Sequence, residues 1–108
     1  MQATRTHDDA MVEIIREDPL FADEYIAESL RSIDEPGGVE ALFAALRQVA
    51  RAQGLDLVAE RSGVARENLE LALSTTDSPL IRTILAVVKG AGLQLAVIRP
   101  DRQEYARA

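Results

Sequence analysis

Residues 55–74 read LDLVAERSGVARENLELALS, and the fold turns on that stretch. Two short helices that cross steeply over a tight turn need a small residue where they touch and a permissive backbone in the turn. Ala59 meets the first demand and Gly63, four residues on, meets the second. Val58, Val64, Leu69 and Ala72 fall where they lock the two helices together, so the stretch reads as a helix-turn-helix with Ala59, Gly63, Val64 and Leu69 as its structural residues. The second helix, residues 65–73, takes the recognition position, whose N-terminal and outward residues enter a major groove. Its outward residues are Ala65, Arg66, Glu67, Glu70, Leu71 and Ser74. Arg66 has the fork to read guanine or clamp a phosphate, and Glu67 or Glu70 can accept from a cytosine amino group. Arg82, just past the following loop, suits a backbone contact. The expected DNA-contacting set is therefore Arg66, Glu67, Glu70, Ser74 and Arg82. Ala65 forgoes a side-chain cap, which costs on the order of 1 kcal/mol of helix stability. Asp56 can cap the first helix of the pair but sits poorly beside a phosphate.

Working outward, the chain reads as all-α, five to six short helices containing this motif, with one C-terminal β-strand. Residues 1–9 carry no apolar period and form a flexible N-terminal arm. Residues 10–54 form acidic helices. Met11, Val12, Ile14 and Ile15 fit a first helix that Asp18-Pro19 ends, and Asp18 caps the second. Ala22, Ile26, Ser29, Leu30 and Ile33 share one face of the second, before a breaker at residues 34–38. In the third, Val39, Leu42, Phe43, Leu46, Val49 and Ala50 repeat every three or four residues until Gly54. Residues 55–98 hold the helix-turn-helix region and pack with the preceding helices as one domain, and residues 99–108 are a tail.

In the last helix, residues 80–91, Ile81, Ile84, Leu85 and Val88 point to the core while Leu80 and Val87 point away. Residues 93–98, LQLAVI, alternate roughly, are β-branched in part and stop at Pro100, which is a strand signal. One strand cannot satisfy its own N–H and C=O groups, so it must pair with the arm, a second copy or another protein. Pairing across a dimer makes Leu93, Leu95 and Val97, with Leu80 and Val87, the expected subunit interface.

Composition narrows the function. The 108 residues lack cysteine, which removes disulfides, thiolate metal sites and cysteine nucleophiles and favours a cytoplasmic home. No run reaches the roughly 18 apolar residues of a membrane span. The one histidine lies in the arm, so the serines have no base, and an enzyme is not expected. No cofactor or metal is expected either, because consecutive His7, Asp8 and Asp9 lack ligand geometry. Of the net charge of -6, all resides in residues 1–52, with eleven acidic against five basic side chains. That half suits a basic protein partner, and the nearly neutral remainder is the nucleic-acid candidate.

Residues 12–97 resemble the probable addiction-module antidote proteins, helix-turn-helix antitoxins of the HigA-like class with an XRE-like DNA-binding fold. The resemblance is carried by DPLFADEYIAESL (18–30), LFAALRQVARAQGL (42–55), VAERSGVARENLELALS (58–74) and SPLIRTILAVVKGAGLQLAV (78–97). It implies a homodimeric antitoxin that neutralises a small basic RelE-like toxin encoded beside it and binds double-stranded operator DNA to repress its own operon. The recognition helix departs from the family pattern. Ala65, Glu70 and Leu71 stand where a serine, an aromatic and a basic residue are usual. Two other readings follow from the same residues: a helix-turn-helix regulator without a toxin, and an interaction module that has lost DNA.

Overall fold

The computed structural model describes residues 6–74 and 78–100, and among these it contains six helices. They are α1 (His7–Glu17), α2 (Pro19–Arg31), α3 (Gly38–Gln53), α4 (Leu55–Ser62), α5 (Arg66–Ser74) and α6 (Pro79–Gly90). The helical reading of the chain is correct, and the local signals explain most boundaries. Asp18 ends α1 and caps α2, its carboxylate accepting from the Phe21 N–H at 3.2 Å. Ser78 does the same for α6, accepting from Ile81 at 3.3 Å with Pro79 in the first turn. Gly63 closes α4 in the left-handed region (φ 74), which a side chain would strain.

α3 is the hub on which α1, α2, α4 and α5 all pack. The buried apolar core is Val12 and Ile15 of α1, Ala22 and Ile26 of α2, and Val39, Leu42, Ala45 and Ala50 of α3. Its inward face is rotated from the apolar stripe. Ala45 and Gln48 are fully buried, whereas Leu46 is exposed. A methyl side chain at Ala45 fills an interior position without forcing the neighbouring helices apart, and Gln48 is held inside by hydrogen bonds described below.

Several local expectations are corrected. α1 opens at His7, within the stretch read as the arm. Thr6 caps it through a capping box: Thr6 Oγ1 accepts from the Asp9 N–H at 3.0 Å, and the Asp9 carboxylate accepts from the Thr6 N–H at 3.4 Å. Residues 1–5 lie outside the described residues. Asp56 caps nothing; α4 starts from Gly54 without a side-chain cap, and Asp56 turns to Arg66 instead. Residues 93–98 form no strand, and no strand occurs among the described residues. The alternation was present, but the N-terminal arm that could have paired with it is spent from Thr6 onward on capping α1. The Leu93 N–H closes α6 instead. It donates to Val88 at 3.0 Å while Gly92, in the left-handed region, donates to Lys89, a Schellman stop.

The apolar side chains of α6 divide into two sets. Ile81, Leu85 and Val88 are half-buried, and Leu80, Ile84 and Val87 are exposed. Ile84 thus leaves the expected core stripe and joins Leu80 and Val87 on one face. Ion pairs from Arg82 to Glu40 (3.3 Å) and from Lys89 to Asp34 (3.1 Å) hold α6 beside the α2–α3 corner.

Candidate nucleic-acid and partner interface

α4 and α5 pack on each other and on α3, with the turn at Gly63 between them. Ala59, Leu69 and Leu73 are half-buried on the inner side. Val64 is more open than a locking residue should be, at 40% exposed. Ala65 is the first residue before α5, and its carbonyl accepts from Leu69 at 2.9 Å, so the helix starts with no side-chain cap as the sequence implies. The outward side holds Arg66, Glu67, Asn68, Glu70, Leu71 and Ser74, all exposed. Leu71 stands out at 70% exposed, placed where an apolar group can meet a thymine methyl.

The electrostatics of this face are those of a helix that neutralises itself. Arg66 NH1 donates to Asp56 at 2.7 Å and Arg66 Nε donates to Glu70 at 3.2 Å. The two carboxylates, Asp56 first, push the guanidinium pKa up, which changes nothing about its charge but occupies its fork. Of the charged side chains on α4 and α5, Asp56, Glu60, Glu67 and Glu70 outnumber Arg61 and Arg66. The expected set does not sit on one element: Arg82 lies on α6 and pairs with Glu40 of α3, whereas Arg66, Glu67, Glu70 and Ser74 lie on α5. Asn68 is the residue that sequence reasoning passed over. It is exposed in the first turn of α5, and an amide is the side chain whose paired donor and acceptor match adenine.

A second constellation lies behind α5. Asp8 Oδ2 accepts from Arg47 Nε at 2.6 Å, and Asp8 Oδ1 accepts from the Gln48 amide at 2.6 Å. The Gln48 carbonyl accepts from the Tyr25 hydroxyl at 2.6 Å, and Tyr25 stacks on Phe21 with ring centroids 5.6 Å apart. Burial pushes the Tyr25 phenol up, so it remains a donor. Arg47 NH1 also donates to the Leu73 carbonyl at 3.2 Å. Next to it, Arg51 donates to Asp9 at 2.8 Å. The carboxylates of Asp8 and Asp9 are thus turned to arginines of α3.

Arg47 above all holds the Asp8 carboxyl below its ordinary 3.8. A carboxylate depressed in the folded chain contributes stability that is complete above its unfolded value and lost as pH falls through the folded one. Acid titration of the melting temperature is therefore expected to drop below pH ~3.8, with Asp8→Asn flattening part of that drop. An unchanged titration curve in Asp8→Asn would show that the pair carries no stability.

The acidic half also carries a cleft of about 660 Å³. Ala22, Ile26, Leu46 and Val49 line it, and residues 97–100 form one wall, where Arg99 forks onto Asp23 at 3.2 and 2.5 Å. No single helix among the described residues is long and apolar enough to cross a membrane.

The sequence model of the family described as "probable addiction module antidote protein" matches residues 12–99. An uncharacterized protein of Haemophilus influenzae is 35% identical over 78 residues, covering 72% of this chain and 80% of the relative. No solved structure matches.

Proposed function

The chain belongs to the family of probable addiction module antidote proteins, and from that membership we propose the antitoxin of a type II toxin-antitoxin module. Its acidic N-terminal half engages and neutralises a small basic toxin of the RelE-like kind. As a cytoplasmic homodimer it binds operator DNA through α4 and α5 and represses its own operon. The observation that carries the DNA half of this reading is the geometry of α4 and α5: a left-handed Gly63 turn, an inner side packed on α3, and an outward helix face whose side chains are exposed. The toxin half is supported by the charge of residues 1–52, where eleven carboxylates face five arginines. Co-expression with the product of the adjacent reading frame tests it. The frame's product should arrest growth alone, be harmless with this chain, and co-purify with it.

Arg66 is the reader in this proposal. A gel shift on the DNA upstream of the gene should show salt-sensitive binding, and Arg66→Ala should weaken it by roughly 10- to 100-fold. Glu70→Gln, which removes one of the two carboxylates holding the fork, should tighten it by a few-fold. Equal affinity of the parent for operator and scrambled DNA sinks the assignment. One observation favours a second reading, an interaction module without DNA: the fork of Arg66 is already filled by Asp56 and Glu70. Under that reading Glu70→Gln changes nothing on DNA while co-purification with the toxin persists.

A further inference from the structure

We propose that Arg47 is a positioning residue that ties the N-terminal helix to the recognition helix, so that the docking of α1 sets how firmly the C-terminal end of α5 is held. The inference rests on the reading of α5 as the recognition helix for its functional meaning, though not for its test.

The argument starts from an unmet need. The last four carbonyls of any α-helix lack an intrahelical donor. Leu73 is the penultimate residue of α5, and its carbonyl receives a donor from outside the helix, NH1 of Arg47 at 3.2 Å. A cation at that end also faces the negative pole of the helix. Arg47 sits on α3, however, and its long side chain reaches α5 in one geometry only if something fixes the rest of it. Asp8 does so from α1, accepting from Nε at 2.6 Å.

Asp8 is fixed in turn. Its second oxygen takes the Gln48 amide at 2.6 Å, and Gln48, fully buried, has its carbonyl satisfied by Tyr25 of α2. The chain of contacts thus runs α2, α3, α1, α3, α5 without a gap. Charge-assisted bonds of this kind are short and directional. In a partly buried site they cannot be exchanged for water without loss. Taking Asp8 away therefore does two things: it leaves the fork of Arg47 half-empty, and it frees the side chain to leave Leu73.

The consequence for function is a coupling between two surfaces. α1 belongs to the acidic half proposed to meet a basic toxin, and α5 to the face proposed to meet DNA. A partner that draws Asp8 off Arg47 would loosen α5, and by reciprocity a DNA-bound α5 would hold α1 more firmly. Arg51 gives an internal comparison. It pins the same helix α1 through Asp9 at 2.8 Å, and among the described residues its side chain makes no hydrogen bond to α5.

Hydrogen exchange on the full chain tests this residue by residue. In Asp8→Asn the amides of Leu73 and Ser74 should exchange about ten-fold faster than in the parent, beyond any change in α3, whereas Arg51→Gln should leave them unaltered. Arg47→Gln should act like Asp8→Asn, and Arg47→Lys, which keeps the charge without the fork, should recover part of the protection. The proposal is overturned if α5 exchange is unchanged in Asp8→Asn and Arg47→Gln. It is equally overturned if Arg51→Gln loosens α5 as much, since α1 docking in general would then be the cause. Where one variant does not fold, the other decides. If the parent binds the upstream DNA, Asp8→Asn should weaken that binding several-fold without touching the DNA face. If the parent binds no DNA, the recognition-helix reading fails and the exchange result still decides the coupling.

Discussion

Gly38→Ala is expected to lower stability by about 3 kcal/mol and the melting temperature by roughly 10 to 20 °C, although alanine is the better helix former. In an open helix interior that exchange would gain about 0.5 to 1 kcal/mol. Here the added methyl has nowhere to go. Gly38 is buried in the first turn of α3, and a Cβ built on it meets the Ser32 carbonyl oxygen inside contact distance and the Ile33 carbonyl oxygen at 2.6 Å. Both are backbone atoms of the segment that ends α2, so neither can rotate away. The methyl must push the α2–α3 corner apart, and with it Val39 and Leu42, which are core. Steric displacement of packed backbone outweighs the propensity gain severalfold. Gly37 provides the comparison. Its φ is 77 and its Cβ would meet nothing within 4 Å, so Gly37→Asn should cost only the strain of the left-handed backbone, about 1 kcal/mol. Thermal unfolding followed by circular dichroism measures both, and a Gly38→Ala chain as stable as the parent would show that the corner is not close-packed.

Gly38 also marks where sequence reasoning stops. The run Asp34-Glu35-Pro36-Gly37-Gly38 announces a break, and the structure has one. What the run cannot say is which glycine serves the turn and which serves the packing, because that depends on the position of carbonyls contributed by α2. The same holds across the chain. Asp18-Pro19, Gly54 and Gly63 act within their own stretch of chain, and their roles were legible.

Roles set by distant partners were not. Asp8 meets Arg47 across 39 residues, and nothing in the spacing of either suggests the other. Gln48 was invisible for a related reason: a polar residue on a helix reads as outward unless its hydrogen-bond partners are known, and Asp8 and Tyr25 lie on other helices. The helix start at Thr6 could have been read. Thr6 followed three residues later by Asp9 carries the reciprocal pattern of a capping box, but the apolar period begins only at Ala10 and drew the boundary there. At the candidate interface, the two short helices, the Gly63 turn between them and the thin positive charge were legible. The capture of Arg66 by Asp56 was not, since a carboxylate ten residues away reads equally well as a cap for its own helix.

Replacing Leu80 and Val87 together by glutamate is expected to leave the fold intact, convert the proposed dimer to monomers and lower the proposed operator affinity by roughly 10²- to 10³-fold. The two side chains are 69% and 64% exposed, so their removal takes little from the monomer's own core. With Ile84 between them they repeat at helical spacing along one side of α6, and Leu93 and Ile98 add further exposed apolar surface after it. An exposed apolar row of this kind along α6 is unusual on a protein that remains alone in water.

The operator effect follows from charge. On α4 and α5, among the described residues, Arg61 and Arg66 are the cations, and Arg66 is shared with Asp56 and Glu70. One subunit can neutralise few phosphates, and affinity rises with each phosphate neutralised. Two recognition helices held about one helical turn of DNA apart, roughly 34 Å, would make the second contact nearly intramolecular and recover what one lacks. Sedimentation or light scattering gives the mass, and a gel shift gives the affinity. A double variant that keeps the parent's mass removes α6 from the interface. A monomeric parent that still binds operator tightly would mean that α5 makes contacts stronger than its charges allow.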